Sequence, residues 1–165
     1  MKKLVLILLV LAILPAVTFA QFGIGGAVLY KSPVLLGQKV DTSNHNVDQF
    51  SFGVDARLKL TFFQAEGLVL YSAGTVNSLS AYLDAGVVLD LKVVSVSLGV
   101  GPNFNNNFGA DKPMQAGYNA KLSTDLKLGP VSVGLSYIMA MSIDNGVDVN
   151  TRSGLVGAQV LFWLP

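Results

Sequence analysis

Between Ala116 and Met141 apolar and polar residues alternate with a period of two. Ala116, Tyr118, Ala120, Leu122, Thr124, Leu126 and Leu128 share one face, and Gly117, Asn119, Lys121, Ser123, Asp125 and Lys127 the other. Gly129-Pro130 interrupts the run, after which Val131, Val133, Leu135, Tyr137, Met139 and Met141 oppose Ser132, Gly134 and Ser136. Such alternation predicts half-buried strands, and two of them joined by a tight Gly-containing turn predict a hairpin.

The same pattern runs through the rest of the chain. It predicts strands over Gln21–Lys31, Phe50–Leu60, Phe62–Tyr71, Leu79–Leu91, Val94–Gly101 and Ser153–Leu164, which with the hairpin make eight. The third is the least regular, because Leu68 and Leu70 spoil its polar face. The connections after strands two, four and six are turns of a few residues. Those after one, three, five and seven (Ser32–Gln49, Ser72–Ser78, Pro102–Pro113 and Ser142–Arg152) are longer and rich in Asn, Asp, Gly and Ser. Strands of about ten residues suffice to cross a bilayer when tilted, and outer-membrane barrels pair short periplasmic turns with long outer loops. The expected fold is therefore all-β, an eight-stranded antiparallel up-and-down transmembrane barrel with both termini periplasmic.

A soluble eight-stranded barrel would carry the same alternation with its apolar face inward. Two features predict the opposite. Gly23, Gly25, Gly53, Gly86, Gly99, Gly101, Gly117 and Gly134 all lie on the polar face, which suits the crowded concave side of a small barrel. The aromatics of the apolar face fall near strand ends: Tyr30, Phe50, Phe52, Tyr71, Tyr118 and Tyr137 toward the long loops, Phe22, Phe63 and Phe162 toward the short turns. Two aromatic girdles around an aliphatic band match the two membrane interfaces.

The polar face then carries Asp55, Arg57, Lys59, Glu66, Asp84, Asp90, Lys92, Lys121, Asp125 and Lys127 into the lumen, five charges of each sign. Buried ions are costly unless paired, so a salt-bridged polar plug is expected, and eight strands leave little free bore. By position along the strands, Arg57, Lys59, Asp90, Lys92, Asp125 and Lys127 are expected to ring the periplasmic mouth, with Asp55, Glu66, Asp84 and Lys121 higher. A gated ion path is the alternative use of the same charges.

Composition agrees with a membrane barrel. Only 13% of the residues are charged and 52% are hydrophobic, against about 25% charged in a soluble domain, and the mean hydropathy is +0.55. Yet no apolar run after residue 20 reaches the length of a membrane helix. Residues 1–20 combine Lys2-Lys3, an apolar core from Leu4 to Leu14, Pro15 and a Thr18-Phe19-Ala20 end, the pattern of a secretory signal peptide cleaved before Gln21. Without Lys2 and Lys3 the chain has nine basic and ten acidic residues, and no basic patch suggests nucleic acid. There is no cysteine. The domain organisation is thus a signal peptide at 1–20 and a barrel domain at 21–165.

No residue pattern predicts catalysis, a cofactor or a metal. His45, the sole histidine, stands in the first long loop without a partner motif. Asp144–Asn150 resembles a fragment of a calcium loop but lacks its distal Glu. Leu35, Leu36, Phe104 and Phe108 are apolar residues expected in loops, and so are candidates for a contact surface.

The pattern from Gln21 to Pro165 resembles the small eight-stranded outer-membrane barrels of the OmpA transmembrane domain, OmpX and OmpW types. Such barrels usually end in an aromatic residue read by the assembly machinery, whereas VLFWLP closes on Leu164-Pro165. The resemblance implies an integral protein of a Gram-negative-type outer membrane and transfers no residue role. The expected partners are outer-membrane and lipopolysaccharide-type lipids, the outer-membrane assembly machinery and surface ligands at the loops, with a monomeric state. The expected function is a structural or surface-interaction barrel. A narrow channel for small or hydrophobic solutes is the alternative, and a lipid-modifying enzyme the third reading.

Overall fold

The computed structural model describes residues 20–32, 49–74, 77–109, 114–144 and 148–164. Residues 1–19 of the expected signal peptide, His45, Leu35 and Leu36 lie outside them. The eight alternating segments form eight strands: β1 (Ala20–Ser32), β2 (Phe50–Leu60), β3 (Phe63–Ser72), β4 (Ser78–Asp90), β5 (Val94–Asn107), β6 (Met114–Leu128), β7 (Val131–Asp144) and β8 (Asp148–Leu164). Each pairs antiparallel with its chain neighbours, and β1 also pairs with β8, so the sheet is a closed barrel. Closure leaves no strand edge with unpaired backbone groups, which a wall without water beside it requires.

The tight turns follow from their residues. Gly129 has φ +69°, and Gly with positive φ followed by Pro is the type II′ hairpin geometry whose twist matches the strands. Trp163 N–H donates to the Pro130 carbonyl at 2.7 Å, tying β8 to this turn. The β2–β3 turn is Thr61-Phe62, with Thr61 also at positive φ (56°).

The apolar face points outward. Ile24, Val54, Leu98, Leu122, Leu135 and Val160 are all exposed, Leu135 by 62%. Phe22, Phe50, Phe52, Phe63, Tyr71, Tyr118 and Phe162 are likewise exposed on this surface. Tyr30 is half-buried, its ring edge-on to Phe50 at 5.2 Å between centroids. Tyr137 departs from the expected girdle. It stands midway along β7, paired with Leu122 and Val156, because β7 continues to Asp144.

Several strands outrun their expected bounds. β5 extends through Pro102 to Asn107, which moves Phe104 from the third loop into the wall, half-buried and paired with the small Ala81 and Ala116. Pro102 has no N–H to give. The β4–β5 ladder accordingly skips Leu83 and Asp84 and resumes at Ala85–Val100 in the same register. Phe108 remains in the turn after β5 and is exposed. The fourth loop is shorter than expected as well, since the β7–β8 ladder runs on to Asp144–Asp148 after a register shift at Ala140/Met141.

Candidate functional site

The inward face builds a lumen in four tiers. At the end of the long connections lies a cavity of about 340 Å³. Hydroxyls and amides of Ser51, Ser72, Ser78, Ser80, Asn103 and Asn105 line it. They partly satisfy one another, through Ser51–Ser72 at 2.6 Å and Ser80 Oγ donating to Asn105 Oδ1 at 2.9 Å. Lys31 borders this cavity and is exposed.

An apolar tier closes the cavity from below. Ala27, Leu29, Leu68, Leu70, Tyr82, Ile138 and Leu155 form one buried cluster inside the barrel. The ladder places Leu68 opposite Tyr82 and Ile138 opposite Leu155. This tier was not anticipated, although Leu68 and Leu70 are the residues that break the alternation of β3. β1, β3, β4, β7 and β8 each contribute one or two of these residues, and only closure of the barrel brings them together.

Beneath it lies the charge cluster. Arg57 is wholly buried and serves three carboxylates: Asp55 Oδ2 at 2.8 Å, Asp125 Oδ2 at 2.9 Å and Glu66 Oε2 at 3.3 Å. Lys121 pairs with Glu66 and lies 3.5 Å from Asp55. Gln159 Nε2 donates to Asp125 Oδ1 at 2.8 Å, and Gln64 Nε2 to Glu66 Oε2 at 3.1 Å. A planar guanidinium can satisfy several carboxylates at once in a way that an ammonium cannot. Arg57 and Asp125 therefore belong to the buried cluster, not to the mouth where their strand positions suggested. Inward side chains from adjacent strands converge on the barrel axis, and the long Arg57 reaches across to β6.

The mouth at the short turns holds Lys59, Asp90 and Lys127. Asp90 pairs with Lys127 and lies 3.8 Å from Lys59, and both Asp90 and Lys127 are partly exposed. Lys92 is not in the lumen: it sits exposed in the turn between β4 and β5, beyond the last inward position. The expected balance of five against five therefore fails. Among the charged groups less than a tenth exposed, Arg57, Lys59 and Lys121 face Asp55, Glu66, Asp84 and Asp125.

Trp163 completes the mouth. Phe162 points outward, so its neighbour turns in, and the indole lies on Gly23, where a Cβ would come within 2.8 Å of the ring. Its Nε1–H donates to Ser132 Oγ at 2.9 Å, and Lys59 Nζ stands 4.2 Å from the ring centroid. A cation over an indole face contributes about 0.5–1 kcal/mol, or more when desolvated. Trp163 is the chain's single tryptophan, so its fluorescence reports this contact alone. Lys59→Met is expected to shift the folded-state emission and to lower stability by about 1 kcal/mol. An unchanged spectrum would place the lysine elsewhere.

No protein-family model matches the sequence, and none of the curated proteins matches it. Solved structures do. The N-terminal β-barrel domain of Pseudomonas aeruginosa OprF superimposes with a TM-score of 0.60 at 11% identity, covering 88% of this chain and 97% of that one. Neisserial surface protein A gives 0.55 at 18% identity, covering 87% and 96%. Ail, the attachment invasion locus protein of Yersinia pestis, gives 0.55 at 12% identity, covering 88% and 97%. The chain thus has the closed eight-stranded fold of the small outer-membrane β-barrels.

Proposed function

We propose that this chain is an integral outer-membrane barrel that acts as a structural or surface-interaction protein and does not conduct. The short turns and both termini face the periplasm, and the long connections face outward. The observation that carries the reading is the double closure of the lumen, by an apolar tier of Leu29, Leu68, Leu70, Ile138 and Leu155 lying against a salt-bridged tier around Arg57. Water and ions would have to cross both. The names of two structural neighbours, a surface protein and an attachment invasion locus protein, support a role at the cell surface. Membrane lipids wet the outer wall in this reading, and ligands meet the loops.

The polar cavity at the loop end favours a second reading, a narrow channel entered from outside. Recording from the full-length protein in planar lipid bilayers distinguishes the two. No steady conductance step is expected from the wild type. A steady step that responds to charge reversal at Arg57 or Lys121 would overturn the plug reading in favour of the channel.

A further inference from the structure

The asparagine run that reads as loop in the sequence becomes one wall of a pocket. β5 carries Asn103, Asn105 and Asn107 at alternate positions, so all three turn inward at the loop-end cavity. The ladder sets each beside a side chain of β4: Asn107 opposite Ser78, Asn105 opposite Ser80 and Asn103 opposite Tyr82. The upper row continues through Ser72 on β3 to Ser51 on β2, and the middle row runs the other way to Gln115 on β6. Hydroxyls and amides thus form an arc along the wall from β2 to β6.

Internal hydrogen bonds hold the arc in place. Ser80 Oγ donates to Asn105 Oδ1 at 2.9 Å, and Asn105 Nδ2 donates to Asn107 Oδ1 at 3.2 Å. Asn103 Nδ2 donates to the Tyr118 carbonyl at 2.6 Å, and its Oδ1 lies over Gly117, where a Cβ would come within 2.9 Å of it. Groups fixed in this way lose little freedom on binding. The rest of the cavity is apolar. Leu70, Tyr82 and Leu155 belong to the tier that forms its floor, and Ala140 and Met141 border it from β7, across the closed barrel from β3.

We propose that this cavity binds a neutral pyranose sugar, free or at the end of a glycan. Hydroxyls and side-chain amides both donate and accept hydrogen bonds, as each hydroxyl of a sugar does, so the arc matches the hydroxyl edge of the ring. The C–H face of the ring matches the apolar floor. Water hydrates the arc equally well but gains little beside Leu70 and Leu155, and displacing poorly held water with an apolar surface favours binding. Charge argues against an ionic ligand: among the described residues that line the cavity none is acidic, and Lys31, the one basic residue, is exposed. At about 340 Å³ the cavity falls in the range of small-molecule sites, about 300–1,000 Å³. It ends blind on the apolar tier, as a receptor pocket does. The proposal rests on the surface reading only for the side from which the ligand comes.

The test is saturation-transfer NMR on the full barrel folded in dodecylphosphocholine micelles, whose head group is not a sugar. The probes are the methyl glycosides of glucose, galactose and mannose, and N-acetylglucosamine. At least one is expected to bind with a dissociation constant of about 1 mM. Sorbitol, an open-chain polyol without a ring face, is expected to bind about tenfold more weakly. Asn105→Leu, which removes the middle amide of the arc, is expected to weaken sugar binding about tenfold. Ala140→Phe fills the cavity from the apolar side, leaves every polar group in place, and is expected to abolish binding. If Asn105→Leu does not fold, Ala140→Phe decides alone. No saturation transfer to any of these sugars at about 10 mM would overturn the proposal. So would sorbitol bound as tightly as a pyranose, or binding that survives Ala140→Phe. The bilayer recording is a separate test, since a barrel that conducts and still binds sugar overturns the plug reading and supports this one.

Discussion

Arg57→Met is expected to destabilise the barrel by about 3–5 kcal/mol, the range measured when one partner of a buried ion pair is removed. The side chain is 0% exposed and is held by three carboxylates from β2, β3 and β6. Among the described residues, removing it leaves Lys121 as the one cation within salt-bridge distance of Asp55 and Glu66, and leaves Asp125 with Gln159 as its remaining side-chain partner. The loss comes from stranded carboxylates rather than from the missing contacts, which sets up a diagnostic comparison. Arg57→Met combined with Glu66→Gln removes one base and one acid together and should be less destabilised than the sum of the two single variants. A coupling of 0.5–3 kcal/mol is the scale for residues in one network. Urea unfolding of the barrel in lipid vesicles measures all four proteins. Additive effects, or a loss below 1 kcal/mol for Arg57→Met, would mean that the guanidinium is not the keystone of the plug.

How far the sequence reached depended on what kind of order was being read. Alternation is a property of each strand alone, so the end of β6, the start of β7 and the Gly129-Pro130 turn between them could be placed to the residue, while β6 begins two residues before Ala116 and β7 runs three beyond Met141. Strand ends were harder. Asn105 and Asn107 read as loop because Asn seldom favours strands, yet a closed barrel carries β5 through the Asn run by pairing it on both sides. The charges on the inward face were legible as a set but not as a network. Strand position assigned Arg57 and Asp125 to the mouth, while side-chain length and convergence on the barrel axis placed them in the buried cluster. Lys92 was misplaced because it stands two residues past the end of β4 at Asp90, and alternation does not mark where a strand stops and a turn begins. The apolar tier had a visible sign in Leu68 and Leu70 that acquired meaning only once Leu29, Ile138 and Leu155 were brought alongside by closure.

The outer wall permits a test that separates a membrane barrel from a soluble one. Leu122 faces outward, is 50% exposed, and stands mid-wall between Leu98 and Tyr137. Leu122→Arg removes little packing inside the barrel, so in water a surface substitution of this kind would change stability by no more than about 0.5 kcal/mol. In a bilayer the guanidinium must enter hydrocarbon or deform it, and the expected loss is about 2–4 kcal/mol, as for a basic residue at the midplane of a membrane barrel. The neighbouring Ser123 provides the control because it points inward and never meets lipid. Ser123→Ala should leave the vesicle and micelle stabilities changed by the same amount, whereas Leu122→Arg should be costlier in vesicles of thick bilayers than in micelles, which adapt around a charge. Equal and small effects of Leu122→Arg in both would remove lipid as the partner of this surface. The exposed leucines and valines would then need a protein partner to cover them.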